Sequence, residues 1–267
     1  MTKPLILVTN DDGIASPGLA AAAAALDPLG ELLIAAPASQ QTSMGRSRTR
    51  VFNLDGAIRP HSVSYQGQAW DGFSVSATPA LTVEHAIQEL ARRPIDLVVS
   101  GINYGENIGT CITVSGTIGA AMEAAERGLK AIAVSLETDA ARWFEHDQSV
   151  DFGTAMHFVR LFAVRALENK WPLDVDVLKV EIPISATPKS GWMVTRQDKI
   201  SYYTPTLAKR ENIFADPSNL EHLVAKGQYS QTDTDAYAMA KGLVSVTPLS
   251  LDHTSRVELA EIQKLIG

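Results

Sequence analysis

Two adjacent carboxylates follow the first apolar run of the chain. Residues 5–9 read LILVT, and Asn10, Asp11, Asp12 and Gly13 come directly after them. Two carboxylates joined by hydroxyl and amide oxygens form the hard-oxygen ligand set that suits Mg²⁺ or Mn²⁺, whereas zinc sites favour His and Cys. The motif therefore predicts a divalent cation at Asp11 and Asp12. Asn-Asp-Asp-Gly is also typical of a tight turn, and the four residues alone leave that alternative open.

Two further polar segments follow apolar runs and offer ligands to the same place. The segment PASQQTSMGRS spans residues 37–47, and INYGENIGTCITVSGT spans residues 102–117. Ligands of open parallel sheets bind outside the carboxyl ends of the strands, so we expect these loops to face one crevice with the acid pair. The glycines around the second segment lie four residues apart and do not match the Gly-x-Gly-x-x-Gly of dinucleotide folds, which disfavours a nicotinamide-dependent oxidoreductase.

The start of a predicted helix supplies a candidate anion site. In the segment VSGTIGAAMEAAERG, residues 114–128, Ser115 is a good N-cap and the amides of Gly116 and Thr117 then point out of the helix start. Free amides at the positive end of the helix dipole bind anions, and a small Gly lets an anion approach closely. The segment predicts a phosphate site, with a capped helix that binds nothing as the alternative when it is taken alone.

These loops must be positioned by strands and helices, and the chain has the pattern of an α/β sheet. Its apolar runs are continuous rather than alternating, as expected for parallel strands covered on both faces. Ser16-Pro17 and Thr78-Pro79 are typical helix starts, and a stripe of helical period begins at Asp151. The predicted strands are residues 5–9, 31–37, 95–101, 131–136 and 176–183.

The sequence pattern changes at two places along the chain. Residues 48–76 are broken by Gly and Asp and predict a β-hairpin excursion from the main sheet. Beyond the fifth predicted strand, short strand-like segments flank a polar stretch and end with GLVSVTPL at 242–249, and a Ser-x-x-Glu at Ser255 predicts a capping box before a terminal helix. We therefore expect an α/β core at residues 1–185 and a β-rich C-terminal extension at residues 186–267.

Composition limits the function classes. The 267 residues are 45% hydrophobic and 20% charged, which is typical of a globular chain with one main core. A formal net charge of -7 argues against stable nucleic-acid binding, which needs a basic face for the phosphates. No segment approaches a membrane span, the first apolar run is too short for a signal peptide, and Cys111 is the single cysteine. We therefore expect a cytoplasmic protein with no membrane partner and no internal disulfide.

Several motifs together carry a family resemblance over nearly the whole chain. TNDDGIASPGL at 9–19, VVSGINYGENIG at 98–109, VSGTIGAAMEAA at 114–125 and GLVSVTPL at 242–249 occur in this order. On these motifs the chain resembles the SurE family (survival protein E), whose members are metal-dependent 5'/3'-nucleotidases also described as acid phosphatases. The resemblance implies a Rossmann-like, mostly parallel sheet flanked by helices. It also implies a β-rich C-terminal part that exchanges elements between subunits to give homodimers or homotetramers.

The resemblance further implies a ligand set for one Mg²⁺ or Mn²⁺ per subunit. Members bind the cation through two Asp of the first loop, a Ser of the second loop and the Asn of Gly-Ile-Asn. In this chain these are Asp11, Asp12, a second-loop hydroxyl and Asn103. The family's Ser falls on Thr42, which keeps a hydroxyl oxygen. The Gly that normally follows is Ser43 in this chain, and a Gly at this position is typical of a loop that needs a positive φ. We favour Thr42 as the ligand, with Ser43 as the alternative.

The expected activity is hydrolysis of a nucleoside monophosphate or another small phosphate monoester. A bound cation polarises a phosphoryl oxygen and lowers the pKa of the attacking water. Asp11 and Asp12 are then the candidate catalytic carboxylates, as base or as nucleophile. The residues expected to bind the substrate phosphate are Asn107, Ser115, Gly116 and Thr117. Asn10 is expected either to orient the first loop or to contact the substrate.

Two further departures from the family pattern bear on packing or substrate choice. Leu81 stands where an Asp is usual, and Glu181 stands where an Asn is usual. The changes at Thr42 and Ser43 also leave a rival function open. In that rival, the chain is a nucleotide-binding regulatory protein on the same fold that has lost turnover.

Overall fold

A computed structural model describes residues 3–49, 54–139, 142–143, 146–214 and 220–267. The strands are β1 (Leu5–Thr9), β2 (Glu31–Pro37), β3 (Ile58–Tyr65), β4 (Gln68–Val75), β5 (Leu97–Tyr104), β6 (Ala131–Leu136), β7 (Val177–Ile182), β8 (Trp192–Val194), β9 (Tyr203–Leu207), β10 (Leu220–Val224) and β11 (Val244–Leu249). The helices are α1 (Pro17–Leu26), α2 (Pro79–His85), α3 (Gly116–Glu126), α4 (Gly153–Glu168), α5 (Asp235–Ala240) and α6 (Leu259–Ile266).

One nine-stranded sheet organises the molecule, in the order β3-β4-β2-β1-β5-β6-β7-β11-β8. The six strands from β4 to β7 run parallel, and β3 and β11 are antiparallel to their neighbours β4 and β7. The chain leaves β1 toward β2 on one side and returns through β5 on the other. The carboxyl ends of β1 and β5 therefore form the topological switch point, where open α/β sheets bind their ligands. This architecture confirms the predicted fold class.

Both faces of the sheet are covered, which is why the strands read as continuous apolar runs. Ile6 and Val8 of β1 pack into one core with helices α1 and α4, whereas Leu5 and Leu7 pack into a second core with α2 and α3. Successive side chains of a strand point to opposite faces, so a strand buried on both sides needs apolar residues at every position. The central strands thus hold the site loops at a rigid, dry edge.

The edge strands of the sheet come from residues 48–76 and from the C-terminal part, the two segments whose sequence pattern differs from that of the core. Strands β3 and β4 form an antiparallel hairpin whose second strand pairs with β2, so the predicted hairpin extends the main sheet. Residues 50–53, at its start, lie outside the described residues. Strands β8 and β11 join the opposite edge next to β7, so the sheet continues across the boundary predicted near residue 185. Only β9 and β10 form a separate two-stranded sheet among the described residues.

The terminal helix differs from its prediction. Helix α6 begins at Leu259 with Glu258 in the N-cap position and no side-chain cap, so the capping box predicted at Ser255 is wrong. None of its residues is buried, so burial of an apolar face does not fix where the helix begins. Within the described ranges, no helix is long and apolar enough to span a bilayer.

Candidate active site

The loop after β1 is a closed turn that presents two carboxylates. Asn10 is fully buried; its Nδ2 donates to the Gly13 carbonyl, and its Oδ1 accepts from the Gly13 amide, both at 3.1 Å. Both polar ends of Asn10 therefore hold the turn, which is the loop-orienting role among its two predicted ones. The tight turn, one of the two alternatives offered by the sequence, is therefore present, and the cation at Asp11 and Asp12 stays a prediction.

Asp11 is directed at the start of α3. Its Oδ1 accepts a hydrogen bond from Thr117 Oγ1 at 2.5 Å, and the backbone amides of Gly116 and Thr117 also favour its charged form. A Cβ at Gly116 would lie 2.7 Å from both Cβ and Oδ2 of Asp11, so only Gly lets the helix approach this closely. The amides predicted for phosphate therefore already face one carboxylate of the site, and a substrate phosphate would share them.

Asp12 lies on the other side of the turn, toward β5. Its Oδ1 accepts from Gln40 Nε2 at 3.2 Å and its Oδ2 from the Tyr104 amide at 3.3 Å. Gln40 also donates to the Trp143 carbonyl at 2.7 Å, so one side chain connects the second loop, Asp12 and the loop that contains Trp143. Asp12 is thus oriented by neutral donors from the second loop and from the end of β5.

Burial strongly perturbs both carboxylates. Asp11 and Asp12 are only 4% and 2% exposed. Burial raises the pKa of Asp11 to about 6, against the hydrogen bonds from Thr117. Burial, followed by repulsion from the Asp11 charge, raises the pKa of Asp12 well above its usual range. Within the described ranges, no Lys, Arg or His side chain contacts either carboxylate group, so neither negative charge has a basic partner.

Asn103 reaches this edge through an irregularity in β5. Ser100 pairs with Ala133 and Asn103 with Ser135, so β5 has one more residue than β6 in this interval, a β-bulge that redirects the strand end. Within the bulge, a Cβ at Gly101 would lie 2.2 Å from the Val134 carbonyl oxygen. Asn103 donates from Nδ2 to the Gly105 carbonyl at 2.7 Å, which directs its oxygen Oδ1 away from that carbonyl.

The second loop is joined to the acid pair through its backbone. The Gln41 amide donates to the Asp11 carbonyl at 2.7 Å, which places the exposed Thr42 and Ser43 next in the chain. Ser43 has φ 64°, the left-handed conformation that favours Gly. The backbone at Ser43 therefore has the conformation that a Gly at this position would adopt without strain. Thr42 or Ser43 as the cation ligand stays a prediction.

The donor set fits a hard divalent cation. No group of three or more His, Cys, Asp or Glu side chains suited to a metal occurs in the part of the chain that the structure describes. A cation at this site would therefore be held by the two carboxylates together with neutral oxygens such as Asn103 Oδ1 and a second-loop hydroxyl. That set suits Mg²⁺ or Mn²⁺ rather than zinc.

The predicted phosphate residues lie on two elements, the start of α3, which contacts Asp11, and the loop after β5. Ser115 caps α3, with its Oγ accepting from the Ile118 amide at 3.3 Å, which confirms the predicted cap. Asn107 follows β5 and donates from Nδ2 to Ser135 Oγ at 3.0 Å, leaving its second amide hydrogen for a ligand. Phosphate binding by Asn107, Ser115, Gly116 and Thr117 stays a prediction.

Sequence reasoning missed the residues that orient the acid pair. Gln40 and the Tyr104 amide contact Asp12. The Thr117 hydroxyl contacts Asp11, a role that was not predicted for a residue expected to bind phosphate. No local pattern marks these neutral groups as partners of Asp11 and Asp12. Arg46 and Arg48, at the end of the second loop, form ion pairs with Glu123 and Glu126 of α3.

Comparisons with known proteins agree in the family they indicate. A family model described as "Survival protein SurE" matches residues 6–204. The chain is 39% identical to a 5'-nucleotidase SurE of Thermococcus kodakarensis over 98% of both chains. It is 40% identical to one of Thermococcus gammatolerans, over 98% of this chain and 95% of that protein. The crystal structure of the SurE protein from Aquifex aeolicus is similar with a TM-score of 0.76 and 29% identity, covering 99% of this chain and 100% of that one.

Proposed function

The chain belongs to the survival protein SurE family, and from that premise we propose that it is a divalent-metal-dependent phosphomonoesterase acting on nucleoside monophosphates. The relatives named 5'-nucleotidase cover nearly its whole length, which supports the nucleotidase class. The observation that carries the metal dependence is the buried pair Asp11 and Asp12, which lies at the switch point and, among the described residues, has only neutral hydrogen-bond partners.

The proposed cation ligands are Asp11, Asp12, Asn103 and the Thr42 hydroxyl. When bound, Mg²⁺ or Mn²⁺ supplies Lewis-acid polarisation of a phosphoryl oxygen and a water of lowered pKa. Asp11 and Asp12 bring the two negative charges that balance such an ion. Thr117 and Gln40 fix the directions of these carboxylates before any ligand arrives, so little reorganisation is needed on binding.

The substrate phosphate is proposed to lie beside the acid pair, at the start of α3. Asn107 offers one amide hydrogen, and Ser115, Gly116 and Thr117 surround the positive end of the α3 dipole. Backbone amides and a carboxamide stabilise charge on phosphoryl oxygens without a proton transfer. The nearby His146 contacts the backbone carbonyl of Asp12, so the carboxylates remain the candidates for accepting the proton of water or for nucleophilic attack.

Phosphate release tests this function directly. We expect the wild type to release phosphate from a panel of 5'- and 3'-nucleoside monophosphates with Mn²⁺ or Mg²⁺ and to stop in excess chelator. Asp12→Asn is expected to abolish turnover, because it removes one of the two ligand charges. Asp71→Asn is the matched control, since Asp71 is an exposed carboxylate on β4.

The outcomes separate enzyme from binding protein. Metal-dependent release that is lost in Asp12→Asn and kept in Asp71→Asn supports the hydrolase. No release with any cation, while nucleotide still binds in an equilibrium titration, overturns the hydrolase and favours the regulatory alternative.

Self-association is proposed for the C-terminal part. Helix α6 exposes Leu259, Leu265 and Ile266 at 72%, 79% and 72%, and the β9–β10 sheet exposes Leu207 and Leu223 at 63% and 64%. Apolar side chains grouped in this way on two elements are typical of an interaction surface. We expect a homodimer or homotetramer by light scattering and a smaller species for Leu265→Glu; a wild type that is monomeric at every concentration contradicts this.

A further inference from the structure

The Asn107 peptide is held from both sides by buried ionisable residues of β7. Glu181 Oε2 accepts from the Asn107 amide at 2.8 Å, and Lys179 Nζ donates to the Asn107 carbonyl at 2.9 Å. Both side chains are fully buried and point to the same face, since they lie two residues apart on one strand. Each of the two β7 residues thus fixes one end of a single loop residue.

The C-terminal part completes this network through Asp235. The Asp235 carboxylate accepts hydrogen bonds from Lys179 Nζ at 2.7 Å, from the Gly109 amide at 3.2 Å and from the Asp198 amide at 2.9 Å. Asp235 is also fully buried. A residue at the start of α5 therefore anchors the same loop two residues beyond Asn107.

Stability alone is a poor account of this arrangement. Removing two charges from water costs more than their attraction returns in many proteins, and apolar replacements of buried pairs are often neutral or stabilising. What charged groups add over apolar ones is direction, because each donor and acceptor fixes the backbone atom it contacts. Here the fixed atoms are the amide and carbonyl of Asn107 and the amide of Gly109.

The side chain of Asn107 is oriented by the same strands. Its Nδ2 donates to Ser135 Oγ at 3.0 Å, and Ser135 in turn donates to Glu181 Oε1 at 3.4 Å. With the backbone and one amide hydrogen of Asn107 fixed, the second amide hydrogen has one direction left. We propose that Glu181 and Lys179, with Asp235 holding Lys179, are positioning residues that aim the Asn107 amide at the substrate phosphate, an inference that rests on the proposed hydrolase.

A double-mutant cycle tests this inference. Asn107→Ala removes the aimed donor and is expected to lower kcat/KM about 100-fold, the usual effect of losing one transition-state donor. Glu181→Leu removes the acceptor for the Asn107 amide and is expected to lower kcat/KM between about 10-fold and 100-fold, mainly through kcat, because misplacement of a catalytic donor has this size of effect. In the Asn107→Ala background, Glu181→Leu is expected to add nothing further.

Two further variants separate positioning from general damage. Glu181→Gln keeps an acceptor oxygen of the same shape and is expected to restore most of the activity lost in Glu181→Leu. Lys179→Met combined with Asp235→Asn removes both charges together, leaves no lone buried charge, and is expected to show the same dependence on Asn107. Independent effects that multiply in the double variants, or a Glu181→Gln as impaired as Glu181→Leu, overturn the inference.

Hydrogen exchange supplies a readout that does not need turnover. In peptides covering residues 105–109, exchange is expected to be faster in Glu181→Leu than in wild type and Glu181→Gln, because the Asn107 amide loses its acceptor. Unchanged exchange overturns the anchoring. An inactive wild type with this exchange difference intact removes the proposed hydrolase and leaves the anchoring of the loop in place, so the two failures are distinguishable.

Discussion

Thr117→Val isolates the hydrogen bond that holds Asp11. The Thr117 hydroxyl donates to Asp11 Oδ1 at 2.5 Å, and neither residue is more than 4% exposed. Valine keeps the branched shape of threonine and replaces the hydroxyl by a methyl group, so the packing of α3 changes little. Asp11 then loses its side-chain donor and keeps the backbone amides of Asp11, Gly116 and Thr117.

The size of the effect follows from the charge of the acceptor. A hydrogen bond to a charged group is worth about 1.5–3 kcal/mol, so kcat/KM or cation affinity is expected to fall between about 10-fold and 150-fold. Loss of the donor also raises the pKa of Asp11 beyond about 6. The variant and the wild type are therefore compared near pH 8, where Asp11 of the wild type is ionised.

The assay is phosphate release at saturating and limiting Mn²⁺, together with chemical denaturation. Thr82→Val is the matched control, because Thr82 is also fully buried in a helix next to α3 and its hydroxyl has no hydrogen-bond partner among the described residues. We expect Thr82→Val to keep wild-type kinetics. A Thr117→Val enzyme within twofold of wild type in both kcat/KM and Mn²⁺ dependence refutes the reasoning that Thr117 prepares Asp11 for a cation.

Three other predictions concern the same edge of the sheet. Gly116→Ala is expected to abolish activity while the protein still folds, since its Cβ would meet Asp11 Oδ2 at 2.7 Å; circular dichroism checks the fold. Mn²⁺ at about 100 times its Kd is expected to stabilise the wild type by about 2.7 kcal/mol and to leave Asp12→Asn unchanged in thermal melts. Burial raises the pKa of Glu181 from 4.5 to about 8, so wild-type stability falls as pH rises between these values. Glu181→Gln is expected to lack this fall, of at most about 1.4 kcal/mol per pH unit, in urea denaturation at pH 6, 7 and 8.

The local features of the site were predictable from sequence because they depend on neighbours along the chain. The run at residues 5–9 forms β1 as predicted, and Ser115 caps α3 where the Ser-Gly-Thr pattern placed it. The position of Asp11 and Asp12 at the carboxyl end of β1 follows from the same pattern. Ser255 shows the limit of such signals, since the predicted cap fails where no packing holds the helix start.

The partners of the acid pair could not be predicted, because they are neutral groups that are distant in sequence. Thr117 lies 106 residues from Asp11, and the Tyr104 amide lies 92 residues from Asp12. Lys179 and Glu181 fall inside an otherwise apolar strand, and sequence alone noted Glu181 only as a departure from a family pattern. Their common partner, Asn107, emerges only when β5, β7 and the C-terminal part are placed together.

The contrast with other buried acids is the strongest argument for a cation at Asp11 and Asp12. Four buried carboxylates have basic partners within the described residues: Glu84 with Arg127, Glu123 with Arg46 and Arg48, Glu137 with Lys226, and Asp235 with Lys179. Three further buried acids, Glu106, Asp198 and Glu181, have no basic partner among the described residues, and each is a single carboxylate held by hydroxyl or amide donors. Burial raises the pKa of Glu181 to about 8, so below that pH its proton removes the need for a counter-charge. Asp11 and Asp12 are instead adjacent, and each receives donors that favour the charged form. Two adjacent charges need a compensating positive charge that the described residues do not supply, and on this ground we propose a cation at Asp11 and Asp12.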